Sequence, residues 1–135
     1  MSASFVDTNV IVYLVDRDEP DKRVTARQLL ARGEDLVTSP QVLGEFYIVS
    51  TRRLRRPIPV DLAQRMVDRF SRLRIVPIDG ELVRSAIRIS QRTQLAYWDS
   101  LIVAAAAARR CERLLTEDLN HAQVIEGVRI ENPFL

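Results

Sequence analysis

The sequence has one cysteine, Cys111, one histidine, His121, one lysine, Lys22, and four glycines. A lone cysteine excludes an internal disulfide and fits a reducing compartment. Cys111 reads as a small packing residue late in a helix. One histidine and one cysteine cannot supply the nitrogen and sulfur ligands of a zinc centre. Six prolines and four glycines are too few for a fibrous or low-complexity chain. No stretch approaches the roughly 18 uncharged apolar residues of a membrane span. "MSASFVD" lacks the basic start of a secretory leader, and the apolar run after it carries Asp7 and Asn9. A cytoplasmic protein without a membrane anchor is therefore expected. The net charge of +2 does not in itself demand a nucleic-acid partner. Nearly all the positive charge is arginine, however, and the planar guanidinium fork suits phosphate.

At 135 residues the chain suits one domain, 1–135, around a single core. It contains no repeat and no linker. Residues 2–7 read as a short buried strand, followed by a turn and a short helix. The segment "DEPDKRVTARQLLARG" reads as an amphipathic helix with a glycine stop at Gly33. Residues 35–39 form a second strand. Ser39 then looks like an N-cap with Pro40 at the first helical position, and Val42, Leu43, Phe46 and Val49 make that helix's apolar face. "RRLRRPIP" ends it. A helix capped by Asp61 and striped by Leu62, Met66 and Phe70 follows. "RIVPI" is a third strand, and Asp79 caps the next helix. A further helix runs from about Trp98 to Arg110, "RLLTE" is a fourth strand and "VRIEN" a fifth. Short apolar strands alternating with helices imply an α/β protein, with a parallel sheet of about five strands covered on both faces.

Ligands of such sheets bind outside the carboxyl ends of the strands, where the strand order reverses. Acidic residues just after strands therefore matter. Asp7 ends the first strand and Asp118 follows the fourth. Asp99 opens a helix, and Glu45 lies inside one, beside Gly44. Each has an ordinary reading: Asp7 and Asp99 as helix-start residues, Asp118 as a turn residue, Glu45 as a solvated charge. Each also interrupts an apolar neighbourhood: "FVDTNVIV", "VLGEFYIV", "YWDSLIVA", "LLTEDL". Two like charges about 4 Å apart repel by roughly 1 kcal/mol in water and roughly 4 kcal/mol at an effective dielectric of 20. Four converging carboxylates must take up protons or hold a cation. An all-oxygen donor set suits Mg²⁺ or Mn²⁺, and the matching chemistry is metal-assisted phosphodiester hydrolysis.

"FVDTNVIVYL", "LGEF", "YWDSLIVAAA" and "LLTEDLNH", in this order and spacing, resemble the PIN-domain ribonucleases, particularly the VapC toxins of bacterial toxin–antitoxin pairs. The resemblance covers nearly the whole chain and reaches the ending "GVRIENPF". It implies a three-layer α/β/α domain with an acidic Mg²⁺ or Mn²⁺ pocket that cleaves RNA. The family's four acids fall on Asp7, Glu45, Asp99 and Asp118. Thr8 and Asn9 match the polar pair after the first acid, and Thr116 matches a hydroxyl near the fourth. A homodimer and a VapB-type antitoxin partner are also implied. Self-pairing through the helix after Val60 is one arrangement that its apolar content suggests.

Further residues have two readings each. Glu117 is a rival to Asp118, but neighbours in an extended chain point opposite ways, so one of the two is expected to face the pocket. His121, in "NHAQV", reads as the start of a short helix rather than as a general base. Arg52, Arg53, Arg55 and Arg56 are either a solvated helix end or contacts to RNA phosphate. Tyr47, Tyr97 and Trp98 pack in the core or a dimer, or stack on unpaired bases. Rival functions are an α/β metal-dependent phosphatase and a non-catalytic RNA- or partner-binding module. A haloacid-dehalogenase-type phosphatase would have aspartate where Asn9 stands. A response-regulator receiver would carry a late lysine, and the only lysine is Lys22.

Overall fold

The computed structural model describes residues 2–32 and 34–135. The expected glycine stop at Gly33 lies outside the described residues. The elements are β1 (Ala3–Val6), α1 (Thr8–Val12), α2 (Pro20–Ala31), β2 (Asp35–Thr38), α3 (Pro40–Ile48), α4 (Val60–Phe70), β3 (Arg74–Ile75), α5 (Gly80–Thr93), α6 (Tyr97–Ala108), β4 (Arg113–Leu115), β5 (Val124–Ile125) and β6 (Val128–Glu131). A π-helical turn, Val49–Arg53, extends α3.

The strands form one sheet in the order β3-β2-β1-β4-β6-β5. Every pairing is parallel except that of β5 with β6. All four residues of β1 are buried, as a parallel strand covered on both faces requires. Pairing runs outward from β1 to β2 and β3 on one side and to β4 on the other. The strand order therefore reverses between β1 and β4, and their carboxyl ends open a crevice there.

The alanine-rich run is the buried helix of the fold. Ser100 to Ala106 are all buried in α6, which packs against α5 and against β2, β4 and β6. Small side chains let its backbone approach these neighbours closely. α3 packs with α1 and α4, where Phe46 meets Phe70 edge-to-face at 5.4 Å. Aromatic pairs in this geometry contribute about 1 kcal/mol beyond the area they bury.

Several local expectations change. The N-cap of α4 is Pro59, extended at ψ 146°, so Asp61 sits in the first turn rather than at the cap. Ser39 occupies the N-cap of α3 but makes no capping bond, and its buried Oγ has no partner among the described residues. "NHAQV" is not a helix. It turns through Ala122 at φ 71° into β5, a sixth strand. The fourth strand stops at Leu115, so Thr116 and Glu117 belong to the turn beyond it. Most of the apolar side of α4 faces the core through Ala63, Met66, Val67 and Phe70, while Val60 is exposed. Cys111 is buried, and burial pushes its thiol up to about 11, so it is an inert packing group.

Candidate functional site

The crevice between β1 and β4 holds two of the four acids. Asp7 leaves β1, and its backbone N–H bonds the carbonyl of Leu115, the last residue of β4, at 3.1 Å. It caps α1 by accepting the Thr8 N–H at 2.7 Å, and its second oxygen accepts the Thr116 hydroxyl at 2.8 Å. Asn9 joins this pair to the next acid: its amide donates to Thr116 Oγ1 at 3.1 Å and to Asp118 Oδ2 at 3.0 Å. The Asp118 N–H returns to Thr116 Oγ1 at 3.1 Å. The capping reading of Asp7 is thus correct and incomplete, since one oxygen caps and the other anchors the network.

Glu45 reaches the same region from α3. One oxygen accepts the Thr8 hydroxyl at 2.8 Å and the other the Gln41 amide at 3.1 Å. Gln41 also donates to the Trp98 carbonyl at 3.4 Å, which ties α3 to the start of α6. Asp99 lies in the first turn of α6, whose N-cap is Ala96. It is half-buried, and the other acids reach it by charge rather than by hydrogen bonds. Sequence reading found Thr8, Asn9 and Thr116 but missed Gln41.

The electrostatics reflect this crowding. Asp7 is raised from its ordinary 3.8 to about 6, first by burial and then by the charges of Asp118 and Glu45, against the lowering effect of the Thr8 N–H and the Thr116 hydroxyl. Asp99 is raised by burial and by the same two charges. Among the described residues, none of the four acids has an ion-pair partner. A hollow of about 320 Å³ opens over Thr8, Asn9, Glu45 and Asp118, walled by Val12, Tyr13, Asp16, Val49 and Leu54.

The donor chemistry suits a hard cation: the acids are carboxylates, and a buried Gln41 Oε1, without a partner among the described residues, lies beside Glu45. Among the described residues, no three such side chains stand close enough as placed to form a ligand cluster. Hydroxyl and amide groups separate them instead.

The remaining candidates divide. Glu117 turns away from the acids to Lys22 and Tyr13. His121 accepts the Asn132 N–H at 3.0 Å and lines a separate hollow with Thr25, Leu29 and Pro133. Arg56 binds Asp18 at 2.8 Å. Arg53 lines a hollow with Glu45, Ile48 and Val49, while Arg52 and Arg55 are exposed. Tyr47 and Tyr97 are half-buried, and Trp98 is 63% exposed.

The family profile described as the PIN domain matches residues 4–126. The chain belongs to the PIN-domain family. Solved structures share its fold. A toxin–antitoxin complex from Klebsiella pneumoniae aligns at TM-score 0.71 and 23% identity, covering 96% of this chain and 97% of that one. VapC20 of Mycobacterium tuberculosis, described as a sarcin–ricin loop cleaving toxin, aligns at TM-score 0.65 and 21% identity, covering 82% and 86%. VapBC2 of Rickettsia felis, bound to a DNA fragment from its promoter, aligns at TM-score 0.67 and 21% identity, covering 96% and 98%. Among curated proteins, the response regulator MprA of Mycobacterium tuberculosis is 34% identical over 108 residues, 79% of this chain and 46% of that protein. The chain spans about half the length of the curated relatives it matches. This PIN domain has the sheet order 3-2-1-4-6-5, not the 2-1-3-4-5 order of flavodoxin-like receivers. Among its described residues no helix is long and apolar enough to cross a membrane.

Proposed function

We propose that the chain is a Mg²⁺- or Mn²⁺-dependent endoribonuclease, the toxin of a VapBC-type pair, with residues 1–135 acting as one cytoplasmic unit. The observation that carries this reading is that Asp7, at the carboxyl end of β1, and Asp99, in α6, both feel the charges of Asp118, just past β4, and of Glu45 from α3, without an ion-pair partner for any of the four among the described residues. The fold it shares with toxin–antitoxin proteins, one of them described as cleaving the sarcin–ricin loop, supports the same reading.

Asp7, Asp99, Asp118 and Glu45 would hold the cation. Bound there, a divalent ion supplies a polarised water and charge neutralisation at a phosphoryl oxygen. Thr116 and Asn9 fix the orientation of Asp7 and Asp118, and such outer partners govern how well carboxylates serve a cation. Glu45 is oriented by two neutral donors, the Thr8 hydroxyl and the Gln41 amide. Arg53, beside Glu45 in its own hollow, offers a positive charge to the phosphate backbone that the acids repel. A VapB-type antitoxin and a homodimer belong to this reading.

The test is cleavage of RNA by the purified protein in Mg²⁺ or Mn²⁺, with EDTA as control, against Asp7→Asn and Asp99→Asn. Cleavage that needs the cation and disappears in both variants supports the proposal. Cation-independent cleavage, or activity surviving both substitutions, removes it. Cation binding without cleavage favours the binding-module reading.

A further inference from the structure

Next to the acids, a closed polar triangle involves the only lysine of the sequence. Lys22, in the first turn of α2, donates to Glu117 Oε2 at 3.1 Å and to the Tyr13 hydroxyl oxygen at 3.1 Å. The Tyr13 hydroxyl in turn donates to Glu117 Oε1. The three groups close a triangle in which both carboxylate oxygens of Glu117 have a donor. Aromatic faces shield the ammonium, which lies 4.8 Å from the Tyr13 ring centroid and 5.8 Å from that of Phe134. Those two rings meet edge-to-face at 4.9 Å.

The triangle sits one residue from a proposed metal ligand. The Glu117 backbone N–H bonds Asn9 Oδ1 at 3.3 Å, and the amide of the same Asn9 binds Asp118 Oδ2. Tyr13 is also a wall of the hollow above Asp118. The turn after β4 is thus held at two points: Asn9 holds its backbone, and the lysine–tyrosine pair pulls the Glu117 side chain away from the acids. Without the ammonium, Glu117 keeps one neutral donor and a free negative charge beside a hollow already lined by the carboxylates of Asp16, Glu45 and Asp118.

We propose that Lys22 is a positioning residue, which with Tyr13 fastens Glu117 outside the acidic hollow and so fixes the turn that presents Asp118. The role deepens the nuclease reading and rests on it for its functional consequence. The fastening itself can be measured without metal or RNA.

Lys22→Met removes the charge, Lys22→Arg keeps it, and Lys22→Met/Glu117→Gln removes the charge that needs holding. Amide hydrogen exchange in EDTA reads the turn directly. Exchange of the Glu117 and Asp118 amides is expected to be about tenfold faster in Lys22→Met, the size of one charge-assisted hydrogen bond, with Leu115 in β4 unchanged. Mn²⁺ affinity, by calorimetry, is expected to fall about tenfold, the low end for loss of an outer partner. RNA turnover is expected to fall in kcat with KM held. Lys22→Arg and the double variant should return all three toward the parent. Unchanged exchange at both amides overturns the proposal, as does faster exchange with Mn²⁺ affinity intact in a parent that binds the ion. So does a loss of protection spread through β4, which marks a merely structural lysine. A raised KM with a shallower salt dependence and no recovery in the double variant assigns Lys22 to RNA phosphate instead. A parent that neither binds Mn²⁺ nor cuts RNA sinks the nuclease reading, while the exchange rates still decide the fastening.

Discussion

The Thr116 hydroxyl donates to Asp7 Oδ2 at 2.8 Å, between residues 109 positions apart. The contact exists because β1 and β4 are parallel neighbours, with Val6 beside Leu115, so the residues that follow each strand meet. Thr116 Oγ1 has one proton to give and two lone pairs, and all are used. It donates to Asp7 and accepts from Asn9 and from the Asp118 N–H. One fully buried hydroxyl therefore joins the Asp7 carboxylate to the backbone of Asp118 and to the Asn9 amide, which in turn binds the Asp118 carboxylate.

Thr116→Val should separate the roles of shape and hydrogen bonding here. The volume is kept, but three polar groups lose a partner. A buried polar group left unpaired costs about 1–3 kcal/mol, so the midpoint of denaturant unfolding should fall by a matching amount. Mn²⁺ affinity should fall by about 10- to 100-fold. Thr116→Ser keeps the hydroxyl and should hold affinity near the parent's. Equal affinity in the valine and serine variants would remove the orienting role.

Asp7 gives a pH dependence of known sign. The folded chain holds this proton up to about pH 6, whereas the ordinary carboxyl releases it near 3.8. The folded state thus binds the proton more tightly than the unfolded state. The resulting cost is fully present above pH 6 and is relieved as pH falls from 6 toward 4. A shift of this size corresponds to about 3 kcal/mol. The direction for Asp99 is the same. In EDTA the melting temperature of the parent should rise between pH 7.5 and 5.5, and the rise should be smaller in Asp7→Asn. A parent that loses stability over that interval, or a variant with an equal slope, would contradict this account.

The positions of Asp7 and Asp118 could be read from the chain because alternating strands and helices put both at carboxyl ends of a parallel sheet. The Asp79 cap was legible for the same local reason: its carboxylate accepts the Leu82 N–H three residues on. Local pattern failed where tertiary contacts decide. β5 is two residues long and exists through its pairing with β6, so no periodicity announces it. Gln41 reaches a carbonyl 57 residues away, and Lys22 a carboxylate 95 residues away. Neither partner leaves a trace near the residue itself. Pro59 enters α4 with no side-chain cap, so the preference of aspartate for caps pointed two residues too far.

Trp98 offers a direct test of RNA binding, because it is the only tryptophan. Its ring is 63% exposed beside Asp99, braced edge-to-face by Tyr97 at 5.0 Å. A base stacked on an aromatic ring contributes about 1–3 kcal/mol. Binding of single-stranded RNA in EDTA should quench the fluorescence in a saturable way. Trp98→Ala should weaken binding by about tenfold or more on that scale, with Trp98→Phe between the two. A signal that follows protein concentration and ignores RNA would place this ring between two copies of the chain instead.

The arginines after α3 should differ in what they do for RNA. Arg56 is held by Asp18, so its charge is already matched. Arg52, Arg53 and Arg55 have no ion pair among the described residues, and Arg53 borders the hollow beside Glu45. On a single strand, each phosphate contact contributes about 0.7 to the slope of log affinity against log salt. Replacing Arg52, Arg53 and Arg55 by glutamine, one at a time, should lower the slope by about that amount wherever a contact is lost. Arg56→Gln should leave it nearly unchanged. The effect should be the same across RNA sequences, because phosphate contacts carry no base information. If Arg56 alone alters the slope, the Asp18 pair opens to admit RNA, and the division between free and matched arginines is wrong.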